Sequence, residues 1–424
     1  MFFRLLLCLI ALAALPLFAH AGHEAAHAGE NEALLGSSVA GLLEWVESEN
    51  PELAALAEES AAARERVQPA GALPDPSLRV EWQDIPRNNP TLLPDRVGAV
   101  KYTWLQAIPF WGKRDLQRDI AAAGADVALS QQQVVRADVR ARVKIIYAQY
   151  YQASHAARLV EDALRLSRDL EEIALARYAG GIAPQQDAIK AQVEQTALQA
   201  ELIVLETEQD HARARLNAVL NRAATAPLAA PGVLRTVPAL AVLEDLEQRL
   251  RTANPMLAQQ TAQVIAAEHA RALTYRNRYP DVMVGFSPVQ RGSGVNNWEA
   301  MVEISIPLQQ GSRRAREREA EALLVAAQSR QQAVVNGILG EFHESLAALE
   351  AARKQELLLQ TRLLPQVELG FQSALAGYQT GKVDFATLLD AQRQIRQARL
   401  DELKARVEQQ VRLAEIERLA GEEL

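Results

Sequence analysis

Residues 174–181 read Ala-Leu-Ala-Arg-Tyr-Ala-Gly-Gly, and 374–381 read Ala-Leu-Ala-Gly-Tyr-Gln-Thr-Gly, an offset of 200 that also pairs Ala191-Gln192 with Ala391-Gln392. Further landmarks follow in the same order: Asn50-Pro51 with Asn254-Pro255, Pro74-Asp75 with Pro280-Asp281, and Pro109 with Pro307. One unit is therefore written twice along almost the whole chain, and the fold must be built from two copies of one supersecondary plan.

Each copy has the order helix, two short alternating segments, very long helix, glycine-marked turn and return helix. Between Pro109 and Pro184 there is no proline, and glycine occurs only at 112, 124, 180 and 181. A helix of about 65 residues, roughly 100 Å, is permitted there. Val139, Val143, Ile146, Tyr150, Ala153, Ala157, Val160 and Leu164 step by fours and threes, the heptad period of a left-handed coiled coil. The stretch after Gly311 repeats the plan, with a kink expected at Pro365. Aromatic residues make up only 5% of the chain, which suits long helices better than a compact mixed core.

The paired segments before each long helix alternate with period two. Leu78, Val80 and Trp82 face one way, with Arg79, Glu81 and Gln83 opposite; Val100, Tyr102 and Trp104 stand against Lys101 and Thr103. In the second copy Val282, Val284 and Phe286 form one row, and Trp298, Ala300, Val302, Ile304 and Ile306 oppose Glu299, Glu303 and Ser305. Apolar-out, polar-in alternation with Trp82, Trp104, Trp111 and Trp298 clustered around it is the pattern of a membrane β-barrel with an interfacial aromatic belt. Two soluble hairpins packed on helices would show the same alternation. In the barrel reading, four strands cannot close in lipid, so the chain must pool strands with copies of itself; two copies give eight strands around a lumen filled by side chains, three give twelve and leave room for a water-filled passage. Asp84–Asp95 and Ser287–Asn296 are the expected outer loops. Pro109 and Pro307 end the ladders, and Gly112 and Gly311 are expected to turn the chain into the helices.

Arg4, the apolar run Leu5–Phe18 and Ala19-His20-Ala21 read as a signal peptide over 1–21. Cleavage would remove Cys8, the one cysteine, and with it any disulfide or thiolate chemistry. A flexible segment 22–37, a first repeat 38–226, a linker 227–241 and a second repeat 242–422 complete the organisation. A net charge of −8 without a basic-aromatic cluster speaks against nucleic acid. No Walker loop, GxSxG or HExxH occurs, so neither an enzyme nor a cofactor is expected. His23 and His27 have helix-face metal spacing but no apolar face to order them.

The segments Ala72-Leu73-Pro74-Asp75-Pro76, Gln106 to Arg114, and Gly377-Tyr378 through Gly381 to Leu388-Leu389-Asp390-Ala391-Gln392 resemble the TolC-like outer-membrane efflux proteins, in particular their heavy-metal efflux branch. The resemblance covers about residues 38–422. It implies a mainly α chain with a small β part, assembled as a homotrimer with a twelve-strand barrel in outer-membrane lipid and a twelve-helix periplasmic tunnel. It further implies docking to a periplasmic adaptor and an inner-membrane pump of the RND type. By the same resemblance, Tyr178, Gly181, Tyr378 and Gly381 are docking and turn residues of the tips. Asp187 matches the gate carboxylate, Tyr378 its hydroxyl partner, and Asp390 one ring of carboxylates at the aperture. Taken alone, Asp187 and Asp390 read equally as solvated carboxylates near helix starts. Val383 stands where a gate arginine is expected and Thr387 where a second aspartate ring is expected. The implied function is passive export, of metal cations, with drugs, other organics or type I secretion cargo as alternatives. A periplasmic coiled-coil adaptor is the rival reading from another class.

Overall fold

A computed structural model describes residues 35–88, 90–239 and 246–424. The signal-peptide reading and the His23/His27 pair lie outside the described residues. The first copy runs α1 (Val39–Glu49), α2 (Pro51–Glu65), a short α3 (Val67–Ala70), β1 (Ser77–Gln83), β2 (Ala99–Ile108), α4 (Lys113–Ala179) and α5 (Gln185–Val219). The second runs α6 (Leu246–Ala253), α7 (Pro255–Arg276), β3 (Val282–Arg291), β4 (Gly294–Ile304), α8 (Gln310–Leu358), a π-helical turn (Leu359–Leu363), α9 (Leu364–Gln379) and α10 (Phe385–Ala420).

Helix α4 has 67 residues, about 100 Å of unbroken rod. All eight residues of its heptad row, Val139 to Leu164, are buried, because α5, α7 and α10 pack along it. Small α1 and α6 hold equivalent places. α1 places Leu42, Leu43 and Val46 against Val139, Val143 and Leu216, and α6 places Leu246 and Leu250 against Phe342, Leu349 and Ile416. The repeat extends to the caps. The Asn50 side chain accepts from the Glu52 and Leu53 amides and donates to the Val219 carbonyl (2.8 Å), while Asn254 accepts from Leu257 and donates to Leu419 (2.6 Å). Each asparagine starts a helix and fastens the end of its own copy's return helix, at 219 and 419; as a cap alone it contributes about 1 kcal/mol.

The expected interruption at Pro365 takes the form of the π turn just before it. The Leu364 amide donates to the Leu359 carbonyl five residues back, so the wider turn absorbs the bond that proline cannot make.

The strands form one antiparallel sheet in the order β1-β2-β3-β4. Its register aligns Leu78 with Trp104, Trp104 with Phe286, and Val284 with Val302, so the two apolar rows merge into one face across all four strands. On the opposite face Lys101 pairs with Glu299 (2.7 Å) and the Ser287 hydroxyl donates to Thr103 Oγ1 (2.9 Å). The outer edges of β1 and β4 are unpaired among the described residues. Three expectations are corrected. Ser287–Asn296 is not a loop: β3 and β4 run through it and turn at Gly292-Ser293. Pro288 is tolerated because the β2–β3 ladder skips Tyr102 and Thr103 there, and the Ser287–Thr103 side-chain bond spans the gap. Gly311 is not a turn residue but sits in the first turn of α8, whereas Gly112, at φ +83°, does redirect the chain into α4. Ile306 lies beyond the end of β4.

Residues 227–239 cross the helices as an extended strap. Ala229 and Gly232 donate to the Leu35 and Ser37 carbonyls, Gln410 donates to the Arg235 carbonyl (2.7 Å), and Arg235 grips Glu417 (2.9 Å). Glu417 is buried and also binds the buried Lys144 ammonium of α4 at 2.8 Å. One carboxylate thus ties together α4, α10 and the strap.

Candidate functional site at the hairpin tips

Both tips turn on a left-handed glycine. After α4, Gly181 (φ +72°) donates to the Tyr178 carbonyl and Ile182 to the Arg177 carbonyl, both at 2.9 Å. After α9, Gly381 (φ +76°) donates to Tyr378 (3.0 Å) and Lys382 to Gly377 (2.8 Å). Asp384 then starts α10, its carboxylate accepting from the Thr387 amide (3.0 Å) and hydroxyl (2.5 Å). Thr387 therefore serves the cap. Val383 packs on Gly377, where an added Cβ would lie 2.5 Å from its Cγ2.

The tips are locked to each other by a buried polar contact. Tyr378, 3% exposed, sits among Leu170, Ala174, Ala188, Phe385 and Leu388, side chains from both hairpins. Its hydroxyl donates to Asp187 Oδ2 at 3.1 Å across 191 residues of sequence. Asp187 lies in the first turn of α5, where the helix dipole favours its charge, and it is buried rather than solvated. Burial, and then the Asp187 carboxylate, push the Tyr378 phenol up from 10.0 to about 12. Such a charge-assisted bond in a partly dry core holds firmly, yet a local rearrangement opens it.

The structure brings Asp187 and Tyr378 together and leaves the other candidates outside that contact. Tyr178, in the position equivalent to Tyr378, is 46% exposed. Asp390 lies on the exposed side of α10, 3.5 Å from the Arg393 guanidinium. Gly181 and Gly381 form the turns. Two features escaped the sequence reading. The Arg177 guanidinium lies 4.8 Å over the Tyr378 ring and donates to the Gln379 carbonyl at 2.6 Å. The buried Glu194 of α5 accepts from Arg393 of α10 (2.5 Å) with Arg396 close by (3.7 Å), a second tie about two turns behind Asp187. Position 177 is equivalent to Gly377, so the repeat itself, read for its differences, carried a signal. Among the described residues no cluster of three His, Cys, Asp or Glu side chains could hold a metal ion, and no helix is long and apolar enough to cross a membrane.

Comparison with known proteins agrees with this architecture. The chain is 24% identical over 359 residues, 83% of its own length and 82% of the relative's, to the cobalt-zinc-cadmium resistance protein CzcC of Cupriavidus metallidurans. Its fold matches the outer-membrane channel OprN with a TM-score of 0.78 at 21% identity, covering 90% of this chain and 89% of that one. It matches CusC, whose structures describe folding and transmembrane channel formation, with a TM-score of 0.77 at 16% identity, covering 91% and 92%. The sequence pattern described as outer membrane efflux protein matches residues 42–222 and 246–422, one match for each copy of the repeat. With both copies matched and the sheet, rods and tips in place, the chain belongs to the outer membrane efflux protein family: it is an outer-membrane efflux channel, a passive conduit and not an enzyme.

Proposed function

We propose that three copies of this chain close one twelve-strand barrel in the outer membrane, continued by a periplasmic helical tunnel, and that the duct exports heavy-metal cations. The observation that carries the assembly is the four-strand sheet with one continuous apolar face and two open edges. Unpaired edges are not tolerated in lipid, so neighbouring copies must supply the missing partners. Native mass spectrometry of the detergent-purified protein is expected to give three chains; a monodisperse single subunit rejects the assembly.

The metal assignment draws on the likeness to a cobalt-zinc-cadmium resistance protein over most of both chains. In this reading an energised inner-membrane RND pump and a periplasmic adaptor deliver the cations. The adaptor engages the tips around Tyr178, Gly181 and Gly381, the Tyr378–Asp187 bond holds the resting aperture, and Asp390 adds negative charge near it. A deletion strain is expected to become sensitive to cobalt, zinc or cadmium salts. Sensitivity to lipophilic organics alone moves the substrate class to organics and leaves the channel reading standing.

A further inference from the structure

Where the sheet meets the helices, hydrogen bonds hold the junctions at one level. Lys113 Nζ donates to the Tyr279 carbonyl (2.9 Å) and Asp281 Oδ1 (2.8 Å), Arg114 donates to the Gly71 carbonyl, and Arg313 donates to the Arg278 carbonyl (3.3 Å). Two bands meet at this level. The sheet side carries exposed apolar groups: Trp111 is 85% exposed, Ile306 and Leu308 are exposed, and Tyr279 stacks on Phe110 at 4.6 Å. The helix side is basic. Residues 113–118, 271–278 and 313–318 hold ten Lys and Arg against two carboxylates, in a chain whose net charge is −8. Those two are Asp115, 3.8 Å from the Arg118 guanidinium, and Glu317, held by Arg278 (2.9 Å); Glu321, just beyond, is engaged by the Tyr275 hydroxyl (2.5 Å) with Arg271. Arg276, Arg314 and Arg318 are exposed and have no hydrogen-bond or ion-pair partner among the described residues. Arg314 and Arg318, one turn apart, share the side of α8 that carries Glu321.

An aromatic band at membrane depth fixes the height of a protein in the bilayer, and unpaired guanidiniums just beyond it meet the phosphate level. Guanidinium binds phosphate oxygens in a two-pronged fit. We propose that this collar binds the headgroups of anionic glycerophospholipids in the periplasm-facing leaflet. The proposal uses the outer-membrane location of the channel and is independent of what it exports.

The test is thermal unfolding of the full-length channel in non-ionic detergent, followed by loss of helical circular dichroism, with added phosphatidylglycerol, phosphatidylcholine or inorganic phosphate. Phosphatidylglycerol is expected to raise the midpoint by several degrees and high salt to remove most of the rise, while phosphatidylcholine and phosphate leave the midpoint unchanged. The combined variant Arg276→Gln, Arg314→Gln, Arg318→Gln is expected to keep its helical spectrum and lose the phosphatidylglycerol response. An equal rise with phosphatidylcholine, a rise with inorganic phosphate alone, or a full response in the folded variant each overturns the proposal. Should the variant fail to fold, the wild-type lipid and salt comparison decides by itself.

Discussion

Tyr378 is buried, hydrogen-bonded to Asp187 and covered by the Arg177 guanidinium. Tyr378→Phe keeps the ring in its pocket and strands the Asp187 carboxylate, at a local cost of about 1–3 kcal/mol. Amide exchange is expected to quicken in the two tips and to stay slow around Val139 and Phe342. The phenol's upward shift has a definite sign in pH: the folded state favours the protonated form, so its contribution is complete below pH 10.0 and fades as pH rises through about 12. Tip protection should fall across that window in the wild type and lack this step in Tyr378→Phe. Arg177→Ala removes the cation–π contact and the bond to Gln379, with an expected loss of about 1–2 kcal/mol in the same exchange experiment. If Arg177→Ala leaves the tip amides unchanged, Arg177 does not lock them. Residue equivalence in the repeat does not separate Tyr178 from Tyr378, although the resemblance named Tyr378 alone as the partner of Asp187. Their different fates depend on which hairpin faces which, information held by side chains some two hundred positions away.

At the level of elements, periodicity was a sufficient guide to the regular elements. The heptad row of α4 is buried along its whole length, and the alternating rows of β1, β2 and β4 fall on one face of the sheet, largely exposed within the single chain, with Ile306 alone falling outside its strand. Turn chemistry was less dependable. Pro288, Arg291, Gly292 and Gly294 read as a loop because their composition does, yet the pairing of β3 with β4 outweighs local preference and leaves a two-residue turn. Gly311 misled for the opposite reason: glycine permits a turn without requiring one. At Gly181 and Gly381, as at Gly112, positive φ does require it. Gly181→Ala and Gly381→Ala are each expected to destabilise by about 1–2 kcal/mol. Gly124→Ala, inside α4 with nothing within 4 Å of the added methyl, should stabilise by about 0.5–1 kcal/mol. Denaturant midpoints of the three variants check the contrast, and equal effects at all three would contradict it.

Across the whole molecule, long-range ties stitch the two copies into one body: Thr103 meets Ser287 184 residues away, and Lys144 meets Glu417 across 273. Removing Glu417 leaves Lys144 buried with only the more exposed Glu423 at 3.2 Å and releases Arg235 of the strap. Glu417→Ala is therefore expected to cost about 3–5 kcal/mol in global unfolding, and Glu417→Gln somewhat less. A midpoint equal to wild type for Glu417→Ala would show that the node carries no net stability. The unbroken course of α4 has a further consequence, for how such a channel can change size. One inserted residue would turn everything below it by about 100° and swing the buried row to the wrong side. The length of this rod is consequently quantised: lengthening or shortening that keeps its buried row in place comes in blocks of seven residues, about 10 Å each.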